Sequence, residues 1–74
     1  MNSDNLIRMA NQIGVFFESM PDRAEGLEGI ATHIRKFWDP RMRRAFLAMV
    51  DADQNGAVSE IVRSAVREHR ERMA

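Results

Sequence analysis

The sequence has no cysteine and no tyrosine, only two prolines, and no excess of either charge: eleven acidic residues balance eleven basic ones. Without cysteine there is no disulfide, no thiolate zinc site and no cysteine-ligated iron–sulfur cluster. The zero net charge removes the basic excess expected of a nucleic-acid binder. No apolar run approaches the roughly 18 residues of a membrane-spanning helix. The opening MNSDNLIRM is polar and lacks the apolar core of a signal peptide, so the cytoplasm is the expected compartment. What is present is 45% hydrophobic residues, including six methionines, enough to argue against disorder. The 74 residues allow one small domain, spanning 1–74. A chain of that size buries only ~60% of its unfolded surface and often leans on a partner.

Hydrophobic spacing divides the chain into four helical segments. In the first, Asp4 to Ser19, residues Leu6, Met9, Ala10, Ile13, Phe16, Phe17 and Met20 recur at three- and four-residue steps and form one wide apolar stripe. Ser3 or Asp4 can cap it, and Pro21 stops it. The second runs to about Trp38 on a stripe of Leu27, Ile30, Ala31, Ile34, Phe37 and Trp38. Gly26 and Gly29 in its first turns imply a frayed start or a close helix contact. The third opens with Asp39 as cap and Pro40 in the first helical position, where no amide donor is needed. It carries Met42, Phe46, Met49 and Val50. Asp53-Gln54-Asn55-Gly56 is a turn by composition. The fourth segment, from about Val58 to Arg72, carries Ile61, Val62, Ala65 and Val66; residues 68–74 are mostly charged and are expected to fray. A period of 3.6 throughout and of 2 nowhere specifies an all-α fold, a small compact bundle of about four short helices.

Ile7, Val15 and Leu47 fall off the stripes, and Trp38 stands at a helix junction. Four short helices have little room to hide them, and a methionine- and aromatic-rich surplus suits a partner interface. Scattered surface hydrophobes, common on any protein, are the alternative. Charge is also uneven. Residues 1–32 balance to −3, residues 33–50 to +4 and residues 51–74 to −1. The stretch HIRKFWDPRMRR is therefore a basic, aromatic cluster astride a helix junction. Phe37, Trp38, Pro40, Arg41, Met42, Arg43 and Arg44 are the candidate interface, with Trp38 as anchor, Pro40 fixing the helix start and the arginines forking onto carboxylates or phosphates.

Other chemistry is thinly supported. Asp51, Asp53, Asn55 and Gly56 copy the first half of an EF-hand loop. Position 12, which must give two carboxylate oxygens, is Val62, so any calcium-binding module here is degenerate. His33 and His69 are the only side chains of near-neutral intrinsic pKa, and no nucleophile neighbours either in sequence. HExxH, GxGxxG and P-loop patterns are missing, and a domain this small is not expected to enclose a pocket of ~300 Å³ or more. No catalytic, cofactor-binding or metal-binding residue is assigned. A small helical nucleic-acid-binding module built on the third segment is disfavoured by Asp51, Asp53, Glu60, Glu68 and Glu71 close by.

The strings LIRMANQIGVFFESMPD and GIATHIRKFWDPRMRRAFLA resemble the small delta subunit of cytoplasmic NAD-dependent, molybdenum-containing formate dehydrogenases. The likeness covers Leu6 to about Val50, and RMANQI and FWDPRMR are its most specific parts. The DxDxNG turn falls outside it. The resemblance implies a non-catalytic accessory subunit of an enzyme that oxidises formate to carbon dioxide and reduces NAD. In that enzyme the large alpha subunit carries molybdenum bis-pterin guanine dinucleotide and iron–sulfur clusters. Beta and gamma subunits carry FMN and further clusters to the NAD site. It further implies binding to the alpha subunit in support of assembly, stability or cofactor insertion, with no cofactor, nucleic acid or membrane bound by this chain.

Overall fold

Proline and aspartate punctuate the chain where the spacing of apolar residues predicts. The computed structural model describes residues 3–74, with side chains from Asn5 onward, as α1 (Ser3–Glu18), α2 (Arg23–Phe37), α3 (Pro40–Ala52) and α4 (Glu60–Met73). Among the described residues there is no strand. The expected capping of α1 by Ser3 or Asp4 lies outside the described side chains. Asp22 caps α2 by accepting from the amides of Ala24 and Glu25 at 2.9 and 3.3 Å. Asp39 caps α3 by accepting from the amide of Met42 at 2.9 Å, with Pro40 in the first turn. Each carboxylate takes amides that the helix leaves unpaired.

The most extensive packing is between α2 and α4, and α1 lies across α2, α3 and α4. Ile30, Ala31 and Ile34 of α2, Phe46 of α3, and Val62 and Ala65 of α4 are sealed from solvent. Among the described side chains of α1, only Leu6, Ala10 and Gly14 are buried; Ile13 and Phe17 are half-buried against the core. The two glycines of α2 mark a close helix contact, not a frayed start. A Cβ on Gly29 would strike the Phe17 ring, and one on Gly26 would meet the Phe17 carbonyl oxygen at 2.9 Å.

The α2–α3 corner departs from the sequence expectation. Trp38, expected to be an exposed anchor, is 4% exposed, with its ring edge-on to Phe46 at a centroid distance of 5.4 Å. Arg43, expected on the surface, is 9% exposed. Its Nη1 donates to the carbonyl oxygens of Arg35 at 3.2 Å and Trp38 at 2.8 Å. These carbonyls lie in the last turn and at the cap of α2, where acceptors lack an intrahelical partner. The guanidinium thus closes α2 from inside α3. Leu47 is likewise buried.

The far end of α4 also differs from the frayed tail expected over 68–74. The helix continues to Met73, which is fully buried and extends the stripe one heptad beyond Val66. A local break in helical geometry at His69, φ −126° and ψ 27°, reorients the last turn. Arg70 forks onto Asp51 at 2.9 and 2.6 Å, and Arg35 donates to the Ala74 carbonyl at 3.2 Å. Charge in this segment faces outward and pairs there, while one methionine supplies the apolar contact.

Replacing Arg43 by alanine leaves buried carbonyls without donors, at a cost of about 1–3 kcal/mol. Arg44→Ala, at an exposed position of the same helix, stays within about 0.5 kcal/mol. Urea unfolding of the two variants measures the difference; equal stabilities would remove the guanidinium from its role at the corner.

Candidate functional site

The surface left over by this packing lies on α1 and α2. Nine core positions back α2 and α4, but the apolar stripe of α1 is wider than the face its neighbours cover. Phe16 is therefore 69% exposed; off the stripe Val15 is 68% exposed, as is Phe37 at the last residue of α2. Phe16 stands edge-on to Phe17 at 5.0 Å, and His33 lies against Phe37 at 4.8 Å. Phe16, Phe17, Met9 and Ile13 from α1, with His33 and an edge of Trp38, line an open groove of about 550 Å³. A second groove of about 500 Å³ runs alongside, along α2 from Glu25 to Phe37, with Phe17 and Met20 opposite. Both exceed the volume expected of so small a domain, because they are open clefts between helices and not enclosed chambers.

The predicted interface residues separate into two groups. Phe37, Pro40, Arg41 and Arg44 are exposed, and among the described residues no carboxylate pairs with either arginine. Trp38 and Arg43 belong to the interior, and Met42 is half-buried against the core. Phe16 was missed because it shares the periodicity of buried residues. The signal for it is the breadth of the α1 stripe, seven apolar positions where a helix half this embedded needs fewer.

The EF-hand-like turn is committed to other work. Asp53 Oδ1 accepts from the amide of Ala57 at 3.1 Å, and Oδ2 accepts from the amide of Val58 at 3.0 Å and from Arg63. Asp51 is taken by Arg70, and Val62 at the twelfth loop position is sealed in the core. Gly56 adopts φ +72°, the left-handed conformation the turn needs. From across the bundle Asn11 clamps the same loop, donating to the Ala57 carbonyl and accepting from the Ser59 amide, both at 2.9 Å. No group of three or more potential metal ligands occurs among the described residues. The oxygens that would face a cation are instead the internal struts of the α3–α4 connection.

Amide donation from Val58, with further help from Ala57 and Arg63, holds the Asp53 carboxyl below the usual carboxylate range against the opposing effect of burial. A lowered folded-state pKa gives stability that is present above the unfolded pKa of about 3.9 and is lost as pH falls through the folded value. Asp53→Asn should therefore lower the melting temperature at neutral pH and flatten its decline in acid. Calcium at millimolar concentration should leave the melting temperature of the unsubstituted chain unchanged. Thermal melts from pH 2 to 7 read the first effect, and a rise of melting temperature with calcium would reinstate a metal site.

Among the described residues no helix is long and apolar enough to cross a membrane. Neither a curated protein nor a solved structure matches the chain significantly. The family model of the NADH-dependent formate dehydrogenase delta subunit FdsD matches residues 5–66. That span holds α1 from Asn5 onward, α2, α3, the Asp53 loop and the first half of α4, so both specific strings, the Asn11 clamp and the Arg43 corner fall within it. The chain belongs to the NADH-dependent formate dehydrogenase delta subunit family.

Proposed function

We propose that this chain is a non-catalytic subunit of an NADH-dependent formate dehydrogenase, working in the cytoplasm. It docks on the large molybdenum-containing alpha subunit through the apolar α1–α2 face and supports assembly, stability or cofactor insertion. Family membership supports the complex. The observation that carries the docking surface is the pair Phe16 and Phe37, both more than two-thirds exposed at the rims of adjoining clefts. Solvent-exposed phenylalanines over a partly filled cleft lose unfavourable hydration when covered, and aromatic side chains are common anchors of interfaces. Arg41 and Arg44 follow the Phe37 end of the groove in the chain. They fit carboxylates on the partner, and Pro40 holds the first turn that presents them. The partner surface this describes is apolar at its centre and acidic at one margin.

The same residues support a subunit that performs no chemistry. His33 packs on Phe37, and the carboxylates of Asp51, Asp53 and Glu60 are engaged by Arg70, by Arg63 and loop amides, and by Arg23. With no cysteine to bind a cluster, electron transfer through this chain by direct ligation has no donor set. The molybdenum bis-pterin guanine dinucleotide, iron–sulfur clusters, FMN and NAD belong to the alpha, beta and gamma subunits in this reading.

Phe16→Asp with Phe37→Asp should lower recovery of the chain with a tagged alpha subunit about tenfold or more, since two exposed aromatic contacts of this kind contribute about 2 kcal/mol. Arg41→Ala with Arg44→Ala should give a smaller loss that grows as salt is lowered toward the point where charge pairing matters most. Circular dichroism checks that the helices persist. Full recovery of the double aspartate variant, with its helices intact, would exclude this face.

A further inference from the structure

The outer side of α2 carries two rows of residues at four-residue spacing, and such rows form the ridges of a helix surface. One row is Glu28, Thr32 and Lys36; the other is Gly29, His33 and Phe37. Both border the groove of about 500 Å³ on this side of the molecule. The first row is antisymmetric in charge, acid at one end and base at the other, with exposed Thr32 midway. The second ends in a protruding phenylalanine. Where it begins, at Gly29, the Phe17 ring takes the place of a side chain and forms an apolar shelf with Met20.

These features are complementary to themselves when reversed. A second copy placed antiparallel about Thr32 sets each Glu28 against the other copy's Lys36. It also carries each Phe37 toward the other's Phe17–Met20 shelf. A two-fold contact uses every such pair twice. An unrelated partner would have to supply the matching charges, whereas a second copy supplies them by symmetry. The net charge of zero puts no overall repulsion between copies. Among the described residues Glu28 has only a long contact with Arg72, 3.6 Å between side chains 59% and 47% exposed, a pairing of little strength. No carboxylate pairs with Lys36 among the described residues.

We propose that the free chain self-associates as an antiparallel two-fold dimer through the outer face of α2. Phe37 belongs to this contact and to the docking face proposed above, so the dimer is a state of the free chain that docking on a larger subunit would displace; Phe16 lies outside both rows.

Sedimentation equilibrium of the full chain at low salt, from micromolar to millimolar concentration, provides the test. The mass should rise toward twice that of the monomer. Lys36→Glu should weaken association by about tenfold or more, because like charges then face each other at both symmetric contacts. Glu28→Lys should do the same. An equimolar mixture of these two variants should regain association as a mixed dimer, since each contact again pairs opposite charges. Phe16→Asp should leave the mass of the free chain unchanged, which separates this dimer from the docking surface. A chain that stays monomeric throughout overturns the proposal, as does a dimer indifferent to both reversals or a mixture that fails to recover.

Discussion

The fold turns on the hydrogen bonds of one buried guanidinium. Arg43 reaches out of the first turns of α3 to the carbonyl oxygens of Arg35 and Trp38 and so fixes how α2 stops and where α3 begins. The cap by Asp39 and the early Pro40 set the same corner from the other side. With the corner fixed, the indole of Trp38 has one place to go, edge-on against Phe46. Phe37, its neighbour in the chain, is directed away and stays in solvent. Burying one aromatic of the pair accompanies exposure of the other, so the projecting Phe37 is a by-product of the closure of α2.

Polar side chains that look like binding groups are mostly structural in this molecule. The Asp53 carboxylate substitutes for a missing turn of backbone bonding, Asn11 fastens the same loop to α1, and Arg43 closes a helix. Each satisfies backbone groups that a protein of this size has no sheet or long helix to satisfy otherwise. What remains exposed is apolar surface on α1 and α2, edged by charges that have no strong partner among the described residues.

Much of the architecture was legible from spacing alone. The four helices, the Asp39–Pro40 start, the stop at Pro21 and the turn at Asp53–Gly56 all follow from local rules that tertiary packing did not overturn. The family was legible in RMANQI and FWDPRMR. Which apolar residues remain outside was not. Periodicity tells which side of a helix is greasy, but not how much of that side a neighbour covers. Phe16 and Trp38 show the failure in opposite directions. Phe16 lies on a regular stripe that α1's neighbours cover fully at Leu6, Ala10 and Gly14 and partly at Ile13 and Phe17, but not at Phe16 itself; Trp38 lies at an irregular junction that the corner folds inward. Arg43 misled for a related reason, since residue type cannot distinguish a cation in water from one spent on carbonyls. The charged composition of 68–74 concealed Met73, whose burial ties down the last turn together with the Arg70–Asp51 pair and the Arg35 bond to the Ala74 carbonyl.

Asn11 and its two loop partners stand 46 and 48 positions apart. Bringing such distant segments together costs chain entropy that no nearby bond offsets, whereas the α2–α3 corner joins residues five and eight apart. The chain therefore has a cheap local nucleus in its middle and a costly long-range seam along α1. Topology places Phe16 on the helix whose attachment carries that entropic cost, so loosening the Asn11 seam would displace the exposed aromatic along with α1.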